Sequence, residues 1–255
     1  MDPTVASALF AHRVHGVLGA DLVGVYLTGS AVTDRFQPST SDLDLFVVCA
    51  GPLSPRTCVE LDRMHAELVR EHPWGARLDV EYTPRTGLRP DGVEGAVSWT
   101  RDGGLVQGST RVASDDILGV RSYGRALLGP PASTVFPAVD AALFRRQTLE
   151  YLRDLLSRPQ TRPGARPEVV AGWIGDSARC LYRLATGELG SKPGAMAWWT
   201  DRDPVIADVL GLVDPAVRGD PVAGRACVDA FPTVVRRAEA ELVWLNGSAQ
   251  AMLGP

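Results

Sequence analysis

Two aspartates, Asp42 and Asp44, open a run of strand-forming residues that ends Leu45-Phe46-Val47-Val48. Side chains alternate across a strand, so both carboxylates point to one face and Leu43 to the other. Neighbouring like charges resist joint ionisation without a counter-charge, and a divalent cation is the usual remedy. Upstream, the apolar run from Val23 to Leu27 ends at Gly29-Ser30, and a polar loop carrying Pro38 follows. Small residues after a strand let backbone N–H groups approach a phosphate, and a helix starting there adds its positive end. A phosphate cradle followed by a same-face aspartate pair is suited to transfer of a phosphorus group. A solvated hairpin edge would account for the aspartates alone, but not for the Gly-Ser opening.

A third carboxylate would complete a metal site or accept a proton from an attacking hydroxyl. Residues 77–83 read Arg-Leu-Asp-Val-Glu-Tyr-Thr, with Asp79 and Glu81 on one strand face and Leu78, Val80 and Tyr82 on the other. Spacing alone leaves both carboxylates open for that role.

The elements that must position these residues follow from periodicity. Val5, Leu9, Val14 and Leu18 predict an amphipathic opening helix. Ser54-Pro55 reads as an N-cap with proline in the first turn, and Leu61, Met64, His65 and Leu68 carry that helix to Glu71. The run VSWTRDGGLVQG predicts two short strands about an Asp-Gly-Gly turn. After Ser114, Ile117, Val120 and Leu127 predict a further helix, ended by Leu128-Gly129-Pro130-Pro131, which sets a domain boundary. Beyond Pro137 the pattern is helical: Leu143 to Leu156, Pro167 to Leu184 with Thr186-Gly187 as its terminator, Ala195 to Trp199, Pro204 to Val213 and Val222 to Leu245. The expected fold class is α+β. An N-terminal α/β domain with a small mixed sheet spans 1–131, and an all-α helical bundle spans 132–255.

Composition narrows the function classes. The 255 residues are 45% hydrophobic and 22% charged, with a net charge of −4. That balance gives no chain-wide basic field for nucleic acid, and no apolar run is long enough for a membrane span. Cys49, Cys58, Cys180 and Cys227 form no regular pair spacing. With no signal-peptide pattern, reduced buried thiols in a cytoplasmic protein are expected. His12, His15, His65 and His72 show no metal-ligand spacing and are expected on helix surfaces. Lys192 is the only lysine among 26 basic residues.

Gly29-Ser30, the loop and Asp42-x-Asp44 together resemble the signature of the nucleotidyltransferase superfamily that includes DNA polymerase β and the aminoglycoside adenylyltransferases. The resemblance implies a nucleotidyltransferase fold, two Mg²⁺ ions, ATP as co-substrate and a small hydroxylated acceptor. It places the metal on Asp42, Asp44 and Asp79, and the phosphates near Gly29 and Ser30. Register against the family's Leu-Glu-Val strand favours Asp79 over Glu81 as the base. Leu128-Gly129-Pro130 with Val135-Phe136 is similar to the domain junction of the streptomycin/spectinomycin adenylyltransferases. Arg179, Thr186-Gly187 and Lys192 resemble their second-domain signature, in which the arginine and lysine contact ATP phosphates.

The acceptor half departs from that pattern. The segment 162–168, which is acidic in the family, here holds two arginines and one glutamate, a poor surface for a polycation. Trp99 corresponds to a drug-stacking tryptophan, a C-terminal tyrosine is replaced by Trp244, and Trp198-Trp199 read as packing residues. Nucleotidyl transfer onto an aminoglycoside antibiotic, the same transfer onto another small molecule or a protein hydroxyl, and non-catalytic nucleotide binding are the three readings. The intact Gly29, Ser30, Asp42 and Asp44 weigh against the last.

Overall fold

The computed structural model describes residues 2–32, 36, 41–99, 104–107, 112–161 and 164–252. The chain is α+β and divides into two compact units, Met1–Asp140 and Ala141–Pro255. The first holds α1 (Pro3–Leu18), β1 (Leu22–Leu27), β2 (Leu43–Cys49), α2 (Pro55–Glu71), β3 (Leu78–Pro84) and a small hairpin of β4 (Leu88–Arg89) and β5 (Gly92–Val93). It continues through β6 (Val97–Trp99), β7 (Leu105–Gln107), α3 (Ser114–Tyr123), β8 (Arg125–Leu128) and α4 (Ala132–Val135). The Asp-Gly-Gly turn expected between β6 and β7 falls partly outside the described residues.

Among the described residues the main sheet runs β7-β6-β3-β2-β1-β8. Only β2 and β3 pair in parallel, as α2 between them requires; the other neighbours are antiparallel. Alternation sorts the strands into two layers. Leu43, Leu45, Val47, Leu78, Val80 and Tyr82 pack with Phe10 and Val14 of α1 and Leu61 and Leu68 of α2. Phe46, Val48 and Tyr26 pack on the opposite face with Ile117, Val120 and Phe136. Strand β2 is thus buried on both faces at every position but Asp44. An acidic residue in such a strand is costly to place unless something there needs its charge.

Local chemistry sets the element ends. The hydroxyl of Ser54 accepts the backbone N–H of Thr57, with Pro55 in the first turn of α2, as the sequence predicts. The helix after Ser114 stops at Tyr123, however, and Leu127 belongs to β8, an edge strand beside β1. Spacing suggested a helix through Leu127. The unpaired backbone edge of β1 captured the segment instead, a gain that intrinsic periodicity does not register.

His65 is a second correction. It is fully buried on α2, where its Nε2 lies 2.7 Å from the Tyr82 hydroxyl and its ring stacks at 4.2 Å on Trp99. Burial pushes its pKa down to about 3. The folded state therefore holds it neutral, while the unfolded chain takes up a proton near pH 6.5. Its contribution to stability is complete above pH 6.5 and is lost as pH falls from there toward about 3. Between pH 7 and pH 5 the loss is expected to be about 2 kcal/mol. Urea midpoints of wild type and His65→Gln across that range measure it: the variant, which keeps a partner for Tyr82, should show a flatter profile. Parallel profiles would show that His65 does not carry the effect.

The second unit is helical: α5 (Ala141–Thr161), α6 (Pro167–Thr186), α7 (Lys192–Arg202), α8 (Ala207–Val217) and α9 (Pro221–Met252). Helix α6 is its centre, burying Ile174, Ala178 and Leu181 against the others, and Trp199 of α7 is fully enclosed. Gly187 ends α6 with φ of 76°, a left-handed cap suited to glycine. Trp198, read with Trp199 as a packing residue, is half-buried against the helical core, where it meets the edge of Tyr182 and the guanidinium of Arg202. No described helix is long and apolar enough to cross a membrane. The four cysteines are free thiols; three are buried and Cys58 is half-buried.

Candidate functional site

In the first unit, β1 delivers Gly29 to the side of Asp44. The Thr28 backbone N–H donates to the Asp44 carbonyl at 2.9 Å, continuing the β1–β2 ladder by one residue. Gly29 then turns out of the strand with φ of 64°. A Cβ on Gly29 would fall 1.8 Å from Asp44 Oδ2, so this carboxylate lies directly over the glycine. Only glycine combines that φ with that clearance. Gly29–Val32 forms a single 3₁₀ turn, shorter than the helix anticipated after the Gly-Ser pair. Most of the loop from 33 to 40 lies outside the described residues.

Asp44 is opposite Asp79 in the parallel β2–β3 register, and Phe46 is opposite Glu81. Register partners share a face, so Asp44 and Asp79 stand side by side, with Asp79 exposed at the rim. Asp42 precedes the first residue of β2 and is half-buried, although the sequence pattern placed it at the strand's start. Glu81 sits one pleat further in and is only 8% exposed. It accepts a hydrogen bond from the Ser98 hydroxyl at 2.7 Å, across the β3–β6 pairing. Asp79 and Glu81 thus share a face but occupy different surroundings.

Two contributions to this region were not anticipated from the sequence. The Arg77 guanidinium donates to the Ser41 carbonyl, tying the segment just before Asp42 to the start of β3. Ser98, in β6, is the hydroxyl that engages Glu81. Neither has a motif; both are found only through strand pairing. Trp99, matched by the sequence to a drug-stacking position, is instead 3% exposed and stacked on His65. Its ring is spent on the core.

No protein-family model matches this sequence, and no curated protein does. Among solved structures, the chain is similar to spectinomycin adenyltransferase AAD(9) from Enterococcus faecialis with ATP and spectinomycin, at 15% identity. The match covers 92% of this chain and 98% of that one, with a TM-score of 0.66. The fold is shared. At that identity the likeness shows the fold alone and does not itself assign residues.

Arg179 and Lys192 both lie in the second unit. Arg179 is on α6, and Lys192 is the first residue of α7, after the Ser191 N-cap whose hydroxyl accepts the Gly194 N–H. Asp176 of α6 brings the two together: its Oδ1 is 3.1 Å from Lys192 Nζ and 3.7 Å from Arg179. At the head of α6, Arg166 pairs with Glu168 at 3.3 Å, so the one acidic residue of that segment already faces a cation.

The fit of a divalent cation rests on the donor set. Among the described residues no three His, Cys, Asp or Glu side chains converge as a metal cluster. Mg²⁺ commonly takes one or two carboxylates and completes its shell with phosphate oxygens and water. The hard oxygen donors of Asp44 and Asp79, side by side in the β2–β3 register, suit that mode. They do not suit a dedicated protein cage.

Proposed function

We propose that the protein is a Mg²⁺-dependent nucleotidyltransferase that moves AMP from ATP onto a hydroxyl of a small molecule. The observation that carries this reading is the placement of the Asp44 carboxylate over Gly29 and in register with Asp79. Asp42, Asp44 and Asp79 would hold Mg²⁺ in sets of one or two carboxylates completed by phosphate and water, with Gly29 and Ser30 admitting the phosphates by close backbone approach. Mg²⁺ bound there neutralises charge on the phosphates and lowers the pKa of the acceptor hydroxyl.

The remaining work belongs to the chain. Asp79, exposed at the rim, accepts the proton of the acceptor hydroxyl as its oxygen attacks the α-phosphorus and pyrophosphate departs. Glu81, buried and engaged by Ser98, supports the floor beneath it. Arg179 and Lys192 bind phosphate oxygens by charge-assisted hydrogen bonds.

A second reading of the acceptor has its own support. The Arg166–Glu168 pair and the buried Trp99 remove two features by which a polycationic drug would be held. They favour an acceptor other than an aminoglycoside. The test of both is incubation with α-labelled nucleoside triphosphates, Mg²⁺ and a panel of hydroxylated acceptors that includes spectinomycin and aminoglycosides. Label from ATP should pass to an acceptor and pyrophosphate should appear. Label that never leaves the nucleotide with any acceptor, small molecule or protein, would count against transfer altogether.

The role of Lys192 has a separate measure. Lys192→Ala should weaken Mg·ATP binding by on the order of 1–3 kcal/mol, the scale of a charge-assisted contact. AMP, which lacks the terminal phosphates, should lose little. Calorimetric titration with both nucleotides decides it, and equal ATP affinities would make Lys192 an ordinary surface cation.

A further inference from the structure

The second unit carries a carboxylate that this reading leaves without a task. Asp176 pairs with the two cations assigned to phosphate, and all three side chains are partly exposed, at 26% for Asp176, 33% for Lys192 and 34% for Arg179. The approach of the lysine is built in. Gly175 precedes Asp176, and a Cβ there would lie 2.9 Å from Lys192 Cδ and 3.2 Å from its Cε. The lysine stem therefore crosses α6 where no side chain obstructs it, and its ammonium arrives at Asp176. Lys192 also begins α7, where the positive end of the helix disfavours a cation; the carboxylate offsets that.

Resting on the phosphate role proposed for Lys192 and Arg179, we infer that Asp176 is a positioning residue that holds the Lys192 ammonium in the ligand-free protein and yields it to a polyphosphate. Exchange, not a permanent brace, follows from the chemistry. A partly exposed ion pair is weak. A polyphosphate offers several charged oxygens to one ammonium, against a single carboxylate. Lysine is a point charge on a flexible stem, so it can move between two anions without losing a fixed geometry. Arg179 is held more loosely at 3.7 Å, and its buried Nε has no hydrogen-bond partner among the described residues. Once phosphate is bound, the carboxylate stays close to it and repels it. Asp176 thereby keeps the resting affinity for polyphosphate low, which favours release of pyrophosphate.

The test uses the full chain and sodium tripolyphosphate, with ATP in parallel, by calorimetry at fixed low salt. Asp176→Asn, nearly isosteric, should bind both anions tighter by about three- to tenfold, the effect of removing one partly screened charge that both holds the ammonium and repels the anion. In a Lys192→Ala background the same change should gain less, because only the direct repulsion is left once the contested ammonium is gone. Weaker binding by Asp176→Asn, or an equal gain in both backgrounds, would overturn the exchange. A wild type that binds neither anion would remove the phosphate reading itself, and the exchange with it.

A second readout rests on Lys192 being the only lysine. Selective ¹³C-lysine labelling gives one side-chain Cε signal. Free wild type and free Asp176→Asn should differ in that signal, and their tripolyphosphate-bound forms should coincide. Bound signals as far apart as the free ones would show that the lysine never leaves Asp176.

Discussion

Asp44→Asn should reduce nucleotidyl transfer by at least a hundred- to a thousandfold, the scale for losing one electrostatic stabiliser of a transition state, while the fold survives. The aspartate lies over Gly29 and beside Asp79 in a strand otherwise buried on both faces. The amide keeps its shape, so the β1–β2 ladder need not shift. Removing one of two adjacent like charges relieves repulsion, so the thermal midpoint in a chelator should hold or rise slightly. Activity and stability should therefore move in different directions, which a packing defect would not produce. Asp42→Asn should lose activity similarly. Near-normal turnover with Mg²⁺ in either variant would refute the metal role.

Asp79→Asn should lower kcat by about a hundred- to ten-thousandfold, the range for a general base, with ATP binding largely preserved. Glu81→Gln should be far milder in kcat, since its amide oxygen can still accept from Ser98. The two carboxylates share a face, so this ranking tests position along the strand, not charge. A pH–rate profile sharpens it: the acidic limb should vanish in Asp79→Asn and persist in Glu81→Gln. The reverse ranking would move the base to Glu81 and leave the rest standing. Two variants with wild-type rates would take this strand out of the chemistry.

The parts of the site that could be read from the sequence are those whose chemistry is local. Gly29 ends a strand because φ of 64° is needed there, and Ser54-Pro55 starts a helix because both caps act within one turn. The face shared by Asp79 and Glu81 follows from alternation. What stayed hidden depends on partners distant in sequence. Leu127 fits a helical period but pairs with β1. His65 fits a helix surface as well as a core, and only the Tyr82 hydroxyl and the Trp99 ring reveal which. Trp99 was matched by type to a ligand-stacking role, yet the same histidine already covers it. The link from Asp176 to Lys192 requires α6 and α7 to pack before it exists.

The parallel pairing of β2 with β3 has a consequence for how fast the chain folds. A hairpin closes by a tight turn, but this pair can meet only after the α2 crossover has condensed, so loop closure must precede any reward. Its register sets Asp44 against Asp79, and the two strands approach against their own charge. Zipping of this pair should be slowed at low ionic strength and hastened by salt, as screening shortens the reach of the repulsion. If β2 and β3 join in the folding nucleus, Asp79→Asn should refold faster than wild type in dilute buffer, and the gap should close as salt is added. The pair of charges proposed for catalysis would then also act as a brake on the assembly of the sheet that carries it.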